Sequence, residues 1–144
     1  MSNVYPYFKT LCLTTGGNLL STSTPVDCAL ISVTTGTTGN NYAYNPAHQY
    51  FSSVPAGSRL AQGAVLTGTA VNNGNFQCSS VTFSSVPAKS SQQVEAIIFY
   101  SNTTVEATSQ LVCYVDSSTS SGFPITPGGG SITVSFTGNL IVLA

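Results

Sequence analysis

One histidine, His48, and four carboxylates, Asp27, Glu95, Glu106 and Asp116, hold nearly all the acid–base capacity of this chain. A Ser-His-Asp relay would have to join His48 to Asp27 or Asp116, and no serine lies in the G-x-S-x-G elbow that presents a nucleophile above a strand-to-helix turn. A glycosidase pair needs two carboxylates facing one cleft. Glu95 and Asp116 fall on neighbouring expected strands and could approach each other, although carboxylates ending exposed strand faces are the ordinary case. Cys12, Cys28, Cys78 and Cys113 are far apart and include no C-x-x-C pair, so zinc spacing is absent. Pro127-Gly128-Gly129-Gly130 lacks the Gly-Lys-Ser/Thr ending of a phosphate loop and lies between strands, as a hairpin would. No calcium-loop spacing occurs either. The expectation is a protein that is not an enzyme, with no catalytic residue, metal or cofactor.

The charge count explains that poverty and narrows the partners. Only three basic and four acidic side chains occur among 144 residues, against about a quarter in ordinary domains. Ser and Thr fill the polar positions, so the surface is wetted by hydroxyls and offers little field to an ionic partner. Such a chain suits being covered by other protein. Three scattered cations cannot displace the counterions of phosphates, which excludes nucleic acid. The longest apolar runs, Ala96 to Tyr100 and Leu140 to Ala144, fall far short of the roughly 20 residues that span a bilayer, so no membrane partner is expected. Met1 to Lys9 shows no basic segment followed by a long apolar run, and export by a secretory signal is not expected. The cysteines then read as reduced, core-filling thiols, with disulfides as the alternative. The sequon Asn102-Thr103-Thr104 reads as chance in so Thr-rich a chain.

The elements that position these residues read as all-β: an antiparallel β-sandwich or jelly-roll-like domain with one short helix. Residues 1–20 form an extended N-terminal arm or first strand, and residues 21–144 a single β-sandwich domain. In the arm, Tyr5, Tyr7 and Phe8 surround Pro6, which favours extended structure nearby. These aromatics need burial, either in the chain's own core or against a neighbouring subunit. Val26 to Val33 is apolar on both faces apart from Asp27 and reads as a central strand. The spacing of Ala47, Tyr50, Phe51 and Val54, after Asn45 as cap and Pro46 at the first helical position, predicts a two-turn helix that ends at Pro55. His48 lies off its apolar stripe. Ala64 to Val71 and Phe76 to Phe83 flank Asn73-Gly74, a strong hairpin signal. Val81 and Phe83 alternate with Ser80, Thr82 and Ser84, giving one buried face and one that is wet or in an interface. Val94 to Tyr100 and Gln110 to Asp116 pair across a polar connection as the best core. Ile132, Val134 and Phe136 alternate with Thr133, Ser135 and Thr137, and Leu140 to Leu143 closes the sheet. Phe-Ser-Ser-Val-Pro-Ala occurs at 51–56 and again at 83–88, in flanks that do not match, and is treated as coincidence.

Together, Glu95-Ala96-Ile97-Ile98-Phe99-Tyr100, Thr108-Ser109-Gln110-Leu111-Val112-Cys113-Tyr114-Val115-Asp116, Gly122-Phe123-Pro124-Ile125-Thr126-Pro127 and Gly129-Gly130-Ser131-Ile132-Thr133-Val134 resemble a group of small virion proteins of tailed bacteriophages. Tyr42-Ala43-Tyr44 and His48-Gln49-Tyr50-Phe51, with Val54-Pro55 behind them, look like the same group's central segment. The resemblance spans roughly residues 26–143. It implies a capsid decoration or cement protein on the virion surface, assembled in the host cytoplasm, with the major capsid protein and itself, as a trimer, for partners. Binding would use Tyr5, Tyr7 and Phe8 with the hydroxyl-rich strand faces. A tail, fibre or adaptor component is the first alternative. A carbohydrate-binding or cell-surface-degrading module is the second, since β-sandwiches host such sites and seven tyrosines could stack on sugars.

Overall fold

The computed structural model describes residues 3–14, 24–33, 41–116 and 122–142. It is mostly β, with three antiparallel sheets in a sandwich-like arrangement. The largest sheet contains β1 (Asn3–Val4), β2 (Val26–Ile31), β3 (Arg59–Gln62), and two later strands that form its centre. Those two face each other across the loop 102–109, and each reads as a continuous apolar run. Their sheet order is β1, then Gln110–Asp116, then Ala96–Ser101, then β2, then β3. Ala96 to Tyr100 are all buried, as the double-sided apolar pattern requires of a central strand.

The rest of the β structure is one long ribbon, bent in the middle. Its strands are β4 (Val65–Thr67), β5 (Ala70–Asn72), β6 (Asn75–Gln77) and β7 (Ser80–Phe83), followed after β8 (Ala96–Ser101) and β9 (Gln110–Asp116) by β10 (Ile132–Ser135) and β11 (Asn139–Val142). One half orders β10, β7 and β4, and the other β11, β6 and β5. The turn between β5 and β6 is the expected Asn-Gly hairpin, with Asn73 at φ 49° and Gly74 at φ 76° as a type I′ turn demands. Each long strand expected from sequence is broken once at the bend. There Gly68 adopts φ 61°, and a Cβ at this position would lie 2.1 Å from Ser79 Oγ. Ser79 N–H donates to Thr67 O and Phe136 N–H to Ser79 O, so the bend keeps its backbone paired.

Cys28, Phe99 and Cys113 form one cross-strand row of the main sheet. On that face Phe99 meets Phe136 of the ribbon edge-on, with centroids 5.8 Å apart. The opposite face carries Tyr100 and Tyr114. Tyr100 stacks on Phe51, and Tyr114 meets Tyr42 and Tyr44.

The helix expected over Pro46 to Val54 is not formed. Asn45 closes only a turn, its Oδ1 accepting from Ala47 N–H, and the chain is extended at Tyr50 before a single 3₁₀ turn at Phe51–Ser53. Here tertiary pairing displaces local propensity. Phe51 N–H donates to Ser109 O and Leu111 N–H to Gln49 O, so these backbone groups are committed to the start of β9 rather than to a helical ladder. The α-helix of the described residues lies instead in the N-terminal segment, as α1 (Pro6–Thr14). Pro6 holds Tyr5 extended, as expected, and then occupies the first helical position itself. Tyr5, Phe8, Leu11 and Cys12 make the inward stripe. Within the described residues 3–14, the first-strand alternative holds only for β1, which pairs with β9 as an edge strand of the main sheet, and the helix docks beside it in place of an extended arm.

Candidate functional site

Two surfaces stand out, and they are built differently. The first is the outer face of the ribbon half made of β4, β7 and β10. Antiparallel register sets Val65, Thr82 and Thr133 in one row and Thr67, Ser80 and Ser135 in the next. Leu66, Val81, Phe83, Ile132 and Val134 point the other way and are wholly or partly buried. Thr67 and Ser80 hydroxyls lie 2.8 Å apart and those of Thr82 and Thr133 3.0 Å apart. Each of these four hydroxyls thus has a neighbour and still presents lone pairs outward. No charged residue lies on these three strands. The side chains are short or β-branched and lose little rotamer freedom when covered.

The second surface is a cleft of about 420 Å³ where β2, β3, the end of β8 and the loop 102–109 meet. Asp27 lies in it, and all its acceptor capacity is taken up. Oδ1 accepts from Cys28 N–H at 2.7 Å and Ala64 N–H at 3.2 Å, and Oδ2 accepts from Tyr100 Oη–H and Asn102 Nδ2–H, both at 3.2 Å. One wall is a column in which the Arg59 guanidinium lies 4.0 Å over the Phe51 ring, whose centroid is 4.0 Å from that of Tyr100 in a near-parallel stack. Arg59 also donates to Val54 O and Phe51 O and makes a two-pronged pair with the Glu106 carboxylate at the rim. Burial of Tyr100, reinforced by the Asp27 charge, pushes its phenol well above the usual tyrosine range. The Arg59 hydrogen bond holds Glu106 below the ordinary carboxylate value. Thr104 sits in this cleft at φ 69°, held by donation of its N–H to Asn102 Oδ1 at 2.8 Å. A β-branched residue in that region carries roughly 1–3 kcal/mol of strain. Asn102 is thus occupied on both sides by internal bonds, which gives the Asn102-Thr103-Thr104 triplet a structural role.

Comparison of the chain with family models, with curated proteins and with solved structures finds no match.

The Ser-His-Asp relay weighed from sequence is not assembled. His48 Nδ1 lies 3.1 Å from Tyr42 Oη and its Nε2 3.3 Å from Asn45 Nδ2, so neither Asp27 nor Asp116 is its partner. Glu95 Oε2 accepts from Val33 N–H at 2.7 Å. Ala96, not Glu95, is the residue opposite Asp116, while burial, together with both carboxylates close by, raises the pKa of Tyr114. Among the described residues no group of three His, Cys, Asp or Glu side chains is arranged to hold a metal ion, and no helix is long and apolar enough to cross a membrane.

Of the three interface candidates, Tyr5 and Phe8 are 0 % and 2 % exposed and lie in the chain's own core. Tyr5 Oη bonds Tyr42 Oη at 3.0 Å, and burial raises its pKa far beyond the tyrosine range. Their home is internal, which removes them from any surface offered to a partner. Tyr7 is half-buried, its ring 6.0 Å from Tyr50. Sequence reading missed the place in this cleft of Arg59, Gln62, Asn102 and Thr104, the last two having been noticed only as ends of a sequon. Their one visible signal was Asp27, a charge in an otherwise apolar strand, whose partners are distant in sequence.

Proposed function

We propose that this protein is a non-enzymatic structural component of a tailed-phage virion, a decoration or cement protein that lies on the head lattice and strengthens it. The observation that carries this reading is the uncharged hydroxyl face of β4, β7 and β10 on a domain whose sequence resembles such virion proteins. A neutral face of stiff, short side chains adheres through packing and hydroxyl hydrogen bonds, which ionic strength hardly screens. Repetition on a lattice multiplies weak contacts into stable coating. The non-enzymatic part of the reading rests on Asp27, Glu106, Glu95 and His48, each of which has a structural partner. The assigned partners are the major capsid protein and further copies of this chain in a trimer, without nucleic acid or membrane. Tyr5 and Phe8 drop out of the interface, leaving Tyr7 and the hydroxyl face.

Immunogold labelling of purified virions tests the assignment. Label over the head is expected, label on the tail would make the chain an adaptor or fibre part, and unlabelled virions would overturn the reading. Purified protein is expected to coat undecorated heads and to stay bound at about 1 M salt, where the Debye length is about 3 Å. Thr67→Asp with Thr133→Asp, which places charges on the two outer strands of the array and not directly across from each other, is expected to abolish coating while leaving the fold intact.

A further inference from the structure

The cleft at Asp27 has features that a docking face does not need. Its volume falls in the range of small-ligand clefts, roughly 300–1,000 Å³. Its two carboxylates are already committed, Asp27 to four internal donors and Glu106 to Arg59. A metal ion or amine would therefore find no carboxylate free of internal partners, and an anion would meet a surface already negative at Asp27. What remains is a set of neutral groups that can both give and accept hydrogen bonds. The Gln62 amide and the Thr104 hydroxyl have no partner among the described residues. Asn102 Nδ2 has a second hydrogen beyond the one given to Asp27, and Tyr100 Oη, which donates to Asp27, retains its acceptor lone pairs. The Phe51 and Tyr100 rings are buried and back the cleft rather than face it. Arg59, stacked on Phe51 and tied to two backbone carbonyls, holds that wall before any ligand arrives. Gly63 stands at the mouth, where a Cβ would meet nothing within 4 Å, so the approach is open.

We propose that this cleft binds a neutral, polyhydroxylated ligand, a mono- or disaccharide unit of a glycan. Hydroxyl groups that donate and accept together match the paired amide and hydroxyl functions of Gln62, Asn102, Thr104 and Tyr100. The strain at Thr104 belongs to the same design, because a side chain is kept where glycine would be unstrained and its hydroxyl lines the cleft. The proposal does not depend on the decoration reading, since any chain with this cleft would bind in the same way.

The test is an array of neutral glycans probed with the labelled full-length protein, followed by titration of the ¹⁵N-labelled protein with the best array ligand, inorganic phosphate and calcium chloride. Saturable shifts are expected for the amides of Gly63, Asn102, Thr104 and Ser109, with a dissociation constant of about 1 mM for a monosaccharide and tighter for a disaccharide. Gln62→Ala is expected to weaken binding about fivefold, the loss of one hydrogen bond. Thr104→Gly is expected to weaken it similarly while raising the melting temperature, a split that a purely structural threonine would not produce. The proposal is overturned if no glycan on the array binds, if the shifts cluster elsewhere, if phosphate or calcium alone saturates the cleft, or if both variants bind like the parent.

Discussion

The hydroxyl face of the ribbon and the cleft at Asp27 are both polar, yet they reach hydrogen-bond satisfaction by opposite routes. On the ribbon Thr67 leans on Ser80 and Thr82 on Thr133 directly across the strand, and removing one leaves its neighbour facing water. In the cleft a single carboxylate gathers donors from β2, β8, the β3–β4 connection and the loop after β8. The ribbon face is therefore expected to tolerate substitution and act through area, whereas the cleft is a keystone that acts through convergence.

The largest effect is expected at Asp27. Asp27→Leu strands four donors in a half-buried place, and chemical denaturation should show a loss of about 3 kcal/mol or more. A loss below about 1 kcal/mol would mean that water replaces the carboxylate and that the keystone description fails.

Next comes the bend that separates the two halves of the ribbon. Gly68→Ala meets Ser79 Oγ at 2.1 Å and takes a φ of 61° that alanine resists. A destabilisation of about 1–2 kcal/mol is expected in thermal melts. A neutral result would show that the bend relaxes freely and does not fix the hydroxyl face.

Alkaline pH probes the buried tyrosines of the main sheet and of the junction between β1 and α1, of which Tyr100 lines the cleft, whereas the ribbon strands carry none. Tyr5, Tyr100 and Tyr114 all have folded-state pKa values raised above the ordinary tyrosine value, chiefly by burial. Their contribution to stability is fully present below about pH 10, the unfolded value, and is lost as pH rises beyond it. Tyrosinate absorbance should consequently rise in two stages, with the later stage coinciding with loss of β circular dichroism. A single smooth titration of all seven tyrosines in a folded protein would contradict their burial.

The smallest effects lie at the surface. Glu106 has a lowered folded pKa, so its pair with Arg59 contributes above the ordinary carboxylate range and is lost as pH falls through the lowered value. Because the Glu106 side chain is 52 % exposed, Glu106→Gln should cost well under about 1 kcal/mol. Thr82→Val on the ribbon is expected within about 0.5 kcal/mol of the parent. A loss as large as that at Asp27 would erase the contrast between the two surfaces.

Much of this fold was legible because its signals are local. Asn73-Gly74 specifies its turn through backbone conformations available to those two residues, and the alternation of Ser80 to Phe83 and of Ile132 to Ser135 assigns inner and outer faces without reference to any partner. The doubly apolar runs at Val26, Ala96 and Gln110 announced central strands, and the pairing of β8 with β9 followed from the polar loop between them. The helix was misplaced for a reason of the same kind. The stripe Ala47, Tyr50, Phe51 and Val54 satisfied helical periodicity, but Gln49 and Phe51 found backbone partners on the strand start at Ser109 to Leu111. Pro6 was read for its effect on the residue before it and not for its own fitness to begin a helix.

The sequence by itself determined an all-β chain, its scarcity of charge, its hairpin and the two-faced character of its strands, because composition, turn chemistry and period-two alternation act within a few residues. Only the tertiary structure decided where Tyr5 and Phe8 are buried, which donors surround Asp27 and that Arg59, Phe51 and Tyr100 form one column. Those contacts join residues tens of positions apart, and their geometry exists only once strand order and register have brought the backbones together.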